Sequence, residues 1–340
     1  MTRLMTTKTS TTAPWLSRIV TLGTGSEIAG LLMLLAVVVL VFSLATDRFL
    51  TVPTFTSVAF QLPELGLLTL AMLIPILSGG LNLAITFTAN ICGLVLAWVL
   101  QANGGVEAGM LAFLLGGLAA VAVGALIGWV MGAAIAYTGA HPILVSLSMM
   151  IFLRGLGEFA TRGGDISGFP HFVGMLGHGW FAGIPAPLWI LIACVALWHL
   201  ILNKTRLGLT IYMAGSNIEA TRYSGIDTKR TIMLVYTLSG LMCGIAGILM
   251  LARFNSVRVG HGEAYLLITV LACFLGRVDP FGGFGRALPV ALALLILQVI
   301  SSGLNLLGAN QHLATAMWGA FLIVVMVVRH VLAGRSVRRT

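Results

Sequence analysis

Ten apolar runs separated by short polar breaks organise the chain. They cover approximately residues 28–46, 56–78, 83–100, 110–137, 142–161, 186–202, 232–251, 259–276, 287–307 and 313–331. A hydrocarbon core of about 30 Å takes roughly 20 residues of α-helix at 1.5 Å each. Each run therefore predicts a spanning helix, and the whole predicts an all-α, polytopic membrane protein with about ten transmembrane helices. Pro142 opens the fifth run, where a missing N–H costs nothing. Pro63 and Pro75 lie inside the second and predict kinks, tolerable in a membrane where neighbours satisfy the freed carbonyls. The eighth run is short. Only 13 uncharged residues separate Glu263 from Arg277, about 20 Å of helix. That helix is either short or completed by residues 259–262, and short or glycine-interrupted segments point toward a transport pathway.

Composition supports the same class. The chain has 340 residues, 59% apolar and 9% charged, where a soluble domain carries roughly 25% charged residues. Residues 1–27 are polar and Thr-rich. Ser43-Leu44-Ala45 loosely resembles a processing site, but the leader is too long for a signal peptide and the apolar core exceeds the usual 7–15 residues or so. The first run is therefore read as a spanning helix.

The net charge of +9 would indicate nucleic acid for a soluble protein. In a membrane protein it reports orientation, because Lys and Arg collect on the cytoplasmic side. With the N-terminus inside, fourteen of the 19 basic residues fall on the inner side, Arg48, Arg162, Arg253 and Arg258 fall outside, and Arg154 lies within a helix. Both termini are thus expected in the cytoplasm. The expected organisation is a cytoplasmic tail over 1–27, a transmembrane domain over 28–331 with a cytoplasmic loop at 203–230, and a second tail over 332–340. No nucleic-acid partner is expected.

Nothing in the sequence forms a catalytic motif. H-E-x-x-H and G-x-S-x-G are absent, and the only close histidine pair, His171 and His178, lies in a glycine-rich outer loop. No metal site is expected there. Cys92, Cys194, Cys243 and Cys273 sit within apolar runs and read as packed thiols. None of the three lysines, Lys8, Lys204 and Lys229, follows the glycines of a phosphate-binding loop. Any ATP the protein uses must be hydrolysed on another chain.

The 203–230 loop is the longest and most charged inner connection. Ser216-Asn217-Ile218-Glu219 has the form of a capping box, and Gly225 suits a left-handed helix end. The pattern predicts a helix of about two turns, too short to stand alone in water, that serves either as a linker or as a dock for a soluble protein.

At this loop the chain resembles the ABC-importer permeases of the ribose and xylose type. The run Gly215-Ser216-Asn217-Ile218-Glu219-Ala220-Thr221-Arg222-Tyr223-Ser224-Gly225-Ile226 looks like their coupling loop. Ile76-Leu77-Ser78-Gly79-Gly80-Leu81-Asn82-Leu83 resembles their glycine-pair signature, with asparagine at 82 where the family usually has aspartate. Phe152-Leu153-Arg154-Gly155, Tyr236-Thr237-Leu238-Ser239-Gly240-Leu241, Phe281-Gly282-Gly283-Phe284-Gly285 and Ser302-Gly303-Leu304-Asn305-Leu306-Leu307-Gly308 also fit. The Phe281–Gly285 link is unusual in following Arg277 and Asp279. Together the matches cover roughly residues 57–328.

The resemblance implies one half of a dimeric pore in a bacterial inner membrane, paired with a second copy or a homologous permease. It also implies cytoplasmic ATPase subunits that carry ATP and Mg, an extracytoplasmic binding protein docking near residues 162–185, and a monosaccharide or similar small polar solute. No cofactor is expected on this chain. Gly215, Ser216, Asn217, Glu219, Ala220, Arg222, Ser224 and Gly225 become the ATPase-coupling residues.

Charge within the membrane is costly unless paired or hydrated, which singles out Glu64, beside Pro63 and one turn after Gln61, and the i, i+4 pair Arg154 and Glu158. With Asn82, Asn90 and Asn305 they are the candidate pathway residues. A second reading, an ion-coupled secondary transporter, would have Glu64 or the Arg154/Glu158 pair relay protons. Trp98, Trp189 and Trp198 are expected in the interfacial aromatic belt.

Overall fold

The computed structural model describes residues 14–310, 313 and 316–327, with side chains from residue 28 onward. It is mostly helical, with α1 (Pro14–Ala45), α2 (Val52–Leu77), α3 (Ile85–Ala102), α4 (Met110–Thr138), α5 (Pro142–Thr161), α6 (His171–His178), α7 (Ala186–Lys204) and α8 (Arg206–Ser216). It continues through α9 (Ile218–Tyr223), α10 (Thr228–Phe254), α11 (Tyr265–Leu275), α12 (Ala287–Leu306) and α13 (Ala316–Val327). Two short antiparallel pairs join β1 (Ile166–Ser167) to β4 (Ser256–Val257) and β2 (Trp180–Phe181) to β3 (Ile184–Pro185).

Eight of these helices are long and apolar enough to cross a membrane, and α11 and α13 are shorter apolar helices. They account for the ten apolar runs. For the eighth run, only the short alternative holds: α11 has 11 residues, about 16 Å. Residues 259–262 do not extend it, because Gly260 and Gly262 adopt φ of +94° and +72°, incompatible with a right-handed helix. The tail expected over 1–27 is helical from Pro14 on, while residues 1–13 and 328–340 lie outside the described residues.

Contacts between connections fall into two groups. At one end, the segments after α2, at the end of α8 and after α11 touch, through Gly79, Gly215 and Gly282. At the other, β1 pairs with β4, Gln101 Nε2 donates to Ser167 O at 3.0 Å, and His178 Nε2 lies 2.8 Å from Arg253 O. The outer connection 162–185 is folded back, as its apolar residues suggest: Phe169 and Val173 are buried, while Trp180 and Phe181 remain exposed.

Helix α2 is the central post. Every residue from Pro63 to Leu77 is buried, so over this length the helix faces protein on all sides. It packs against α7, α10, α11 and α12. Trp198 of α7 also belongs to this core at 1% exposure, which corrects its expected place in the aromatic belt; Trp98 and Trp189 are exposed.

The most extensive helix contact, α4 with α10, is made by small residues. Gly116, Ala120, Gly124, Gly128 and Gly132 recur every fourth position along α4; Ala120, Gly124 and Gly128 meet Gly240 and Gly244 of α10, Gly132 meets Met233 and Tyr236 of α10, and Gly116 packs against Leu96 and Val99 of α3. Four-residue spacing puts them on one face, where absent side chains let backbones approach. A Cβ at Gly128 would strike the Tyr236 carbonyl and approach Thr237 Cα to 3.0 Å. Gly128→Val is expected to cost about 3 kcal/mol or more by overpacking against backbone, so little folded protein should survive detergent extraction and gel filtration. Gly117→Ala, whose nearest neighbour is Ile248 Cδ1 at 3.7 Å, should yield normally.

Candidate functional site

The inner loop folds into two helices. Thr205 caps α8 by accepting from Gly208 N at 3.2 Å. The chain then turns at Asn217, whose Oδ1 accepts from Ala220 N at 2.9 Å to start α9. The cap is thus one residue later than the Ser216 that the capping box implies. Asn217 N still donates to Met213 O at 3.0 Å, so Ser216 remains in the last turn of α8, and Glu219 lies in the first turn of α9. Gly225 closes the segment at φ +78°, the left-handed conformation glycine adopts without strain. Asp227 Oδ1 then accepts from Arg230 N at 3.0 Å to cap α10.

Of α9, only Thr221 is buried. Glu219, Ala220, Arg222, Ser224 and Gly225 face outward, as do two apolar residues, Ile218 and Tyr223, the latter 88% exposed. Ile218 and Tyr223 are absent from the residues expected to couple. Their signal was available in the sequence: apolar side chains within the most charged inner loop.

The base of this segment is held by backbone. Gly283 N donates to Leu77 O at 2.9 Å, joining the loop after α11 to the end of α2. Gly215 packs where these meet: a Cβ there would collide with Leu77 O and lie 2.5 Å from Gly283 N. A Cβ on Gly282 would lie 2.6 Å from Gly79 N. Gly79, Gly282 and Gly283 all have positive φ. Tyr212 of α8 donates its hydroxyl to Gly285 O at 2.7 Å, and burial pushes its pKa above the ordinary phenol value, keeping it a neutral donor. Asp279 braces the same loop, its Oδ1 accepting from Phe281 N and its N–H donating to Phe284 O, both at 2.9 Å. The outward-facing α9 is therefore joined through Gly215 to the inner end of the central post.

The pathway candidates do not form one cluster. Glu64 is fully buried: its Oε1 is 2.9 Å from Arg253 Nη1 of α10, and Tyr265 Oη donates to Oε2 at 3.5 Å. Beside it Gln298 of α12 donates to Gln61 Oε1 at 3.0 Å. Asn82 donates to Ser239 Oγ at 2.9 Å and accepts from Ala84 N at 3.0 Å, while Ser239 donates to Ala71 O at 2.7 Å. It braces the break between α2 and α3 against α10. Asn90 is buried in α3, and its Nδ2 has no hydrogen-bond partner among the described residues. Asn305 is exposed at the end of α12. Arg154 Nε lies 3.0 Å from Glu158 Oε1, and its Nη1 3.3 Å from Glu263 Oε1. Arg253, Tyr265, Gln298 and Glu263 were not singled out in the sequence, because their partners lie far away along it.

All four cysteines are buried and free. Among the described residues no group of three His, Cys, Asp or Glu is placed to hold a metal ion.

Comparison with known proteins places these features in context. Residues 54–328 match the family described as "Branched-chain amino acid transport system / permease component". The chain is 30% identical over 314 residues to an autoinducer 2 import system permease protein LsrD of Yersinia enterocolitica, covering 90% of this chain and 92% of that protein. A Yersinia pseudotuberculosis protein of the same name is 30% identical over 305 residues, covering 88% and 89%. No solved structure matches.

Proposed function

The chain belongs to that permease family and is a multi-pass inner-membrane permease subunit of the ABC sugar-importer type, and from this we propose a specific division of labour. The chain forms half of the translocation path, with a second copy or a homologous permease as the other half. Cytoplasmic ATPase subunits, which bind ATP and Mg, dock on α9. An extracytoplasmic binding protein delivers a small polar solute, either a monosaccharide or a sugar-like molecule such as the autoinducer 2 of its relatives. Both tails, before residue 28 and after 331, belong in the cytoplasm in this reading.

One observation carries the proposal: α9 presents Ile218 and Tyr223 to solvent while its base is locked to α2 through Gly215. A helix of six residues has little stability alone and exposes apolar side chains at a cost unless a partner covers them. Movement of the ATPases would reach the post by way of α8 and the glycine junction. Two separate sites would then bias one two-state assembly, which is allostery in the strict sense.

Tyr223→Ala removes the largest exposed group of α9. An aromatic interface anchor is worth about 2 kcal/mol, so ATPase retention on the purified permease should fall about 30-fold. Retention equal to wild type would remove α9 from the interface. Uptake by the assembled system should stop on ATP depletion and survive an uncoupler, whereas a proton-coupled carrier would show the reverse.

A further inference from the structure

We propose that the exposed face of α5 lines a water-filled solute path, and that Arg154, Glu158 and Glu263 select uncharged, polyhydroxylated solutes over anionic ones there. The proposal rests on the importer reading and deepens it by naming a wall and a substrate class.

Helix α5 is apolar and of spanning length, yet two half-exposed charges lie on it, Arg154 and Glu158 at 50%, and a third, Glu263 at 59%, reaches Arg154 from the connection before α11. Arg154 lies seven residues before the helix ends at Thr161, about 10 Å inside. Ionised groups at such depth face a water-filled cavity or the interior of a bundle, not acyl chains. Its guanidinium also sits 5.7 Å from the centre of the Phe87 ring of α3, which fixes it against the bundle. Toward the cytoplasmic end of the same helix, Leu144, Ser148 and Phe152 help line an open recess of about 450 Å³. Exposed Ile151 and Gly155 lie between the two features.

The chemistry indicates the solute. A guanidinium flanked by two carboxylates offers donors and acceptors side by side, which suits neighbouring hydroxyl groups. One positive and two negative charges leave a net charge of −1, which repels a phosphate or carboxylate. The nearby Arg258–Asp165 pair, 3.6 Å apart, adds no net charge, and the further cation at the end of α5, exposed Arg162 at the C-cap, lies one turn beyond Glu158.

Single cysteines in the full chain, assembled with its ATPases in right-side-out membrane vesicles, test this. The four native thiols are buried and give little background. Cysteine at Ile151 or Gly155 should react with membrane-impermeant thiol reagents, whereas cysteine at Leu197, exposed midway along α7, should not. At Gly155→Cys a cationic reagent should react severalfold faster than an anionic one, and Glu263→Gln should abolish that preference. Equal inertness of Ile151→Cys and Leu197→Cys would place α5 against lipid and overturn the path; labelling without charge preference would overturn the selection. ATP-driven uptake by the unmodified chain, measured in the same vesicles, tests the importer reading separately.

Discussion

Gly215→Ala is expected to give a permease that inserts, yet supports less than about a tenth of wild-type ATP-driven uptake, because overpacking, at roughly 1–3 kcal/mol, forces apart the junction that joins α9 to α2. The added methyl group would collide with Leu77 O and Gly283 N. Neither is a flexible side chain, so α8 must lift off the end of α2 and the loop after α11. Solute-stimulated ATP hydrolysis in proteoliposomes measures the consequence: hydrolysis should continue at its basal rate and no longer respond to loaded binding protein. Gly117→Ala is the control: it lies outside the coupling segment and its added Cβ would meet only Ile248 Cδ1 at 3.7 Å, so coupling should persist. If Gly215→Ala transported at the wild-type rate, the junction would carry no signal.

The second large effect is expected at the outer half of the post. Arg253→Ala leaves the carboxylate of Glu64, wholly buried, facing only the Tyr265 hydroxyl at 3.5 Å. Removing one partner of a buried pair costs about 3–5 kcal/mol, because the other charge stays desolvated. Thermal unfolding in detergent should shift clearly downward. Glu64→Gln should be milder, since Arg253 retains some exposure and can hydrate. The double variant Glu64→Leu with Arg253→Met should recover most of the loss, as apolar replacement of a buried pair is often neutral or stabilising. An Arg253→Ala chain that melts with the wild type would show the pair to be energetically idle. In this account Glu64 ties α2 to α10 and α11.

The spanning helices were legible because the bilayer imposes one length and one polarity on each, and the ten runs record both. The placement of arginine and lysine yields an expected orientation. The glycine seam of α4 was written in the sequence too, at Gly116, Gly124, Gly128 and Gly132. A reading by apolar content passes over it, since glycine neither breaks nor marks such a run. The helix α8 was hidden within a stretch read as loop, and the cap of α9 shifted from Ser216 to Asn217, because both residues favour helix starts and the length of α8 decides between them. Long-range pairs were not legible at all. Glu64 finds Arg253, Gln61 finds Gln298 and Asn82 finds Ser239 only after the helices pack, and nothing local to either partner specifies the other. The meeting of Gly79, Gly215 and Gly282 is of the same kind: each glycine is visible, and their juxtaposition is a product of the fold.

The central claim is that α9 is the surface on which the ATPase acts. A photo-crosslinking amino acid at position 223, in the permease assembled in native membranes, tests it most directly. The account predicts an ultraviolet-dependent adduct between the permease and an ATPase chain, and no such adduct when the probe replaces Trp189 near the outer end of α7. Adducts at 223 formed only with lipid, with another permease or with an extracytoplasmic protein would contradict it.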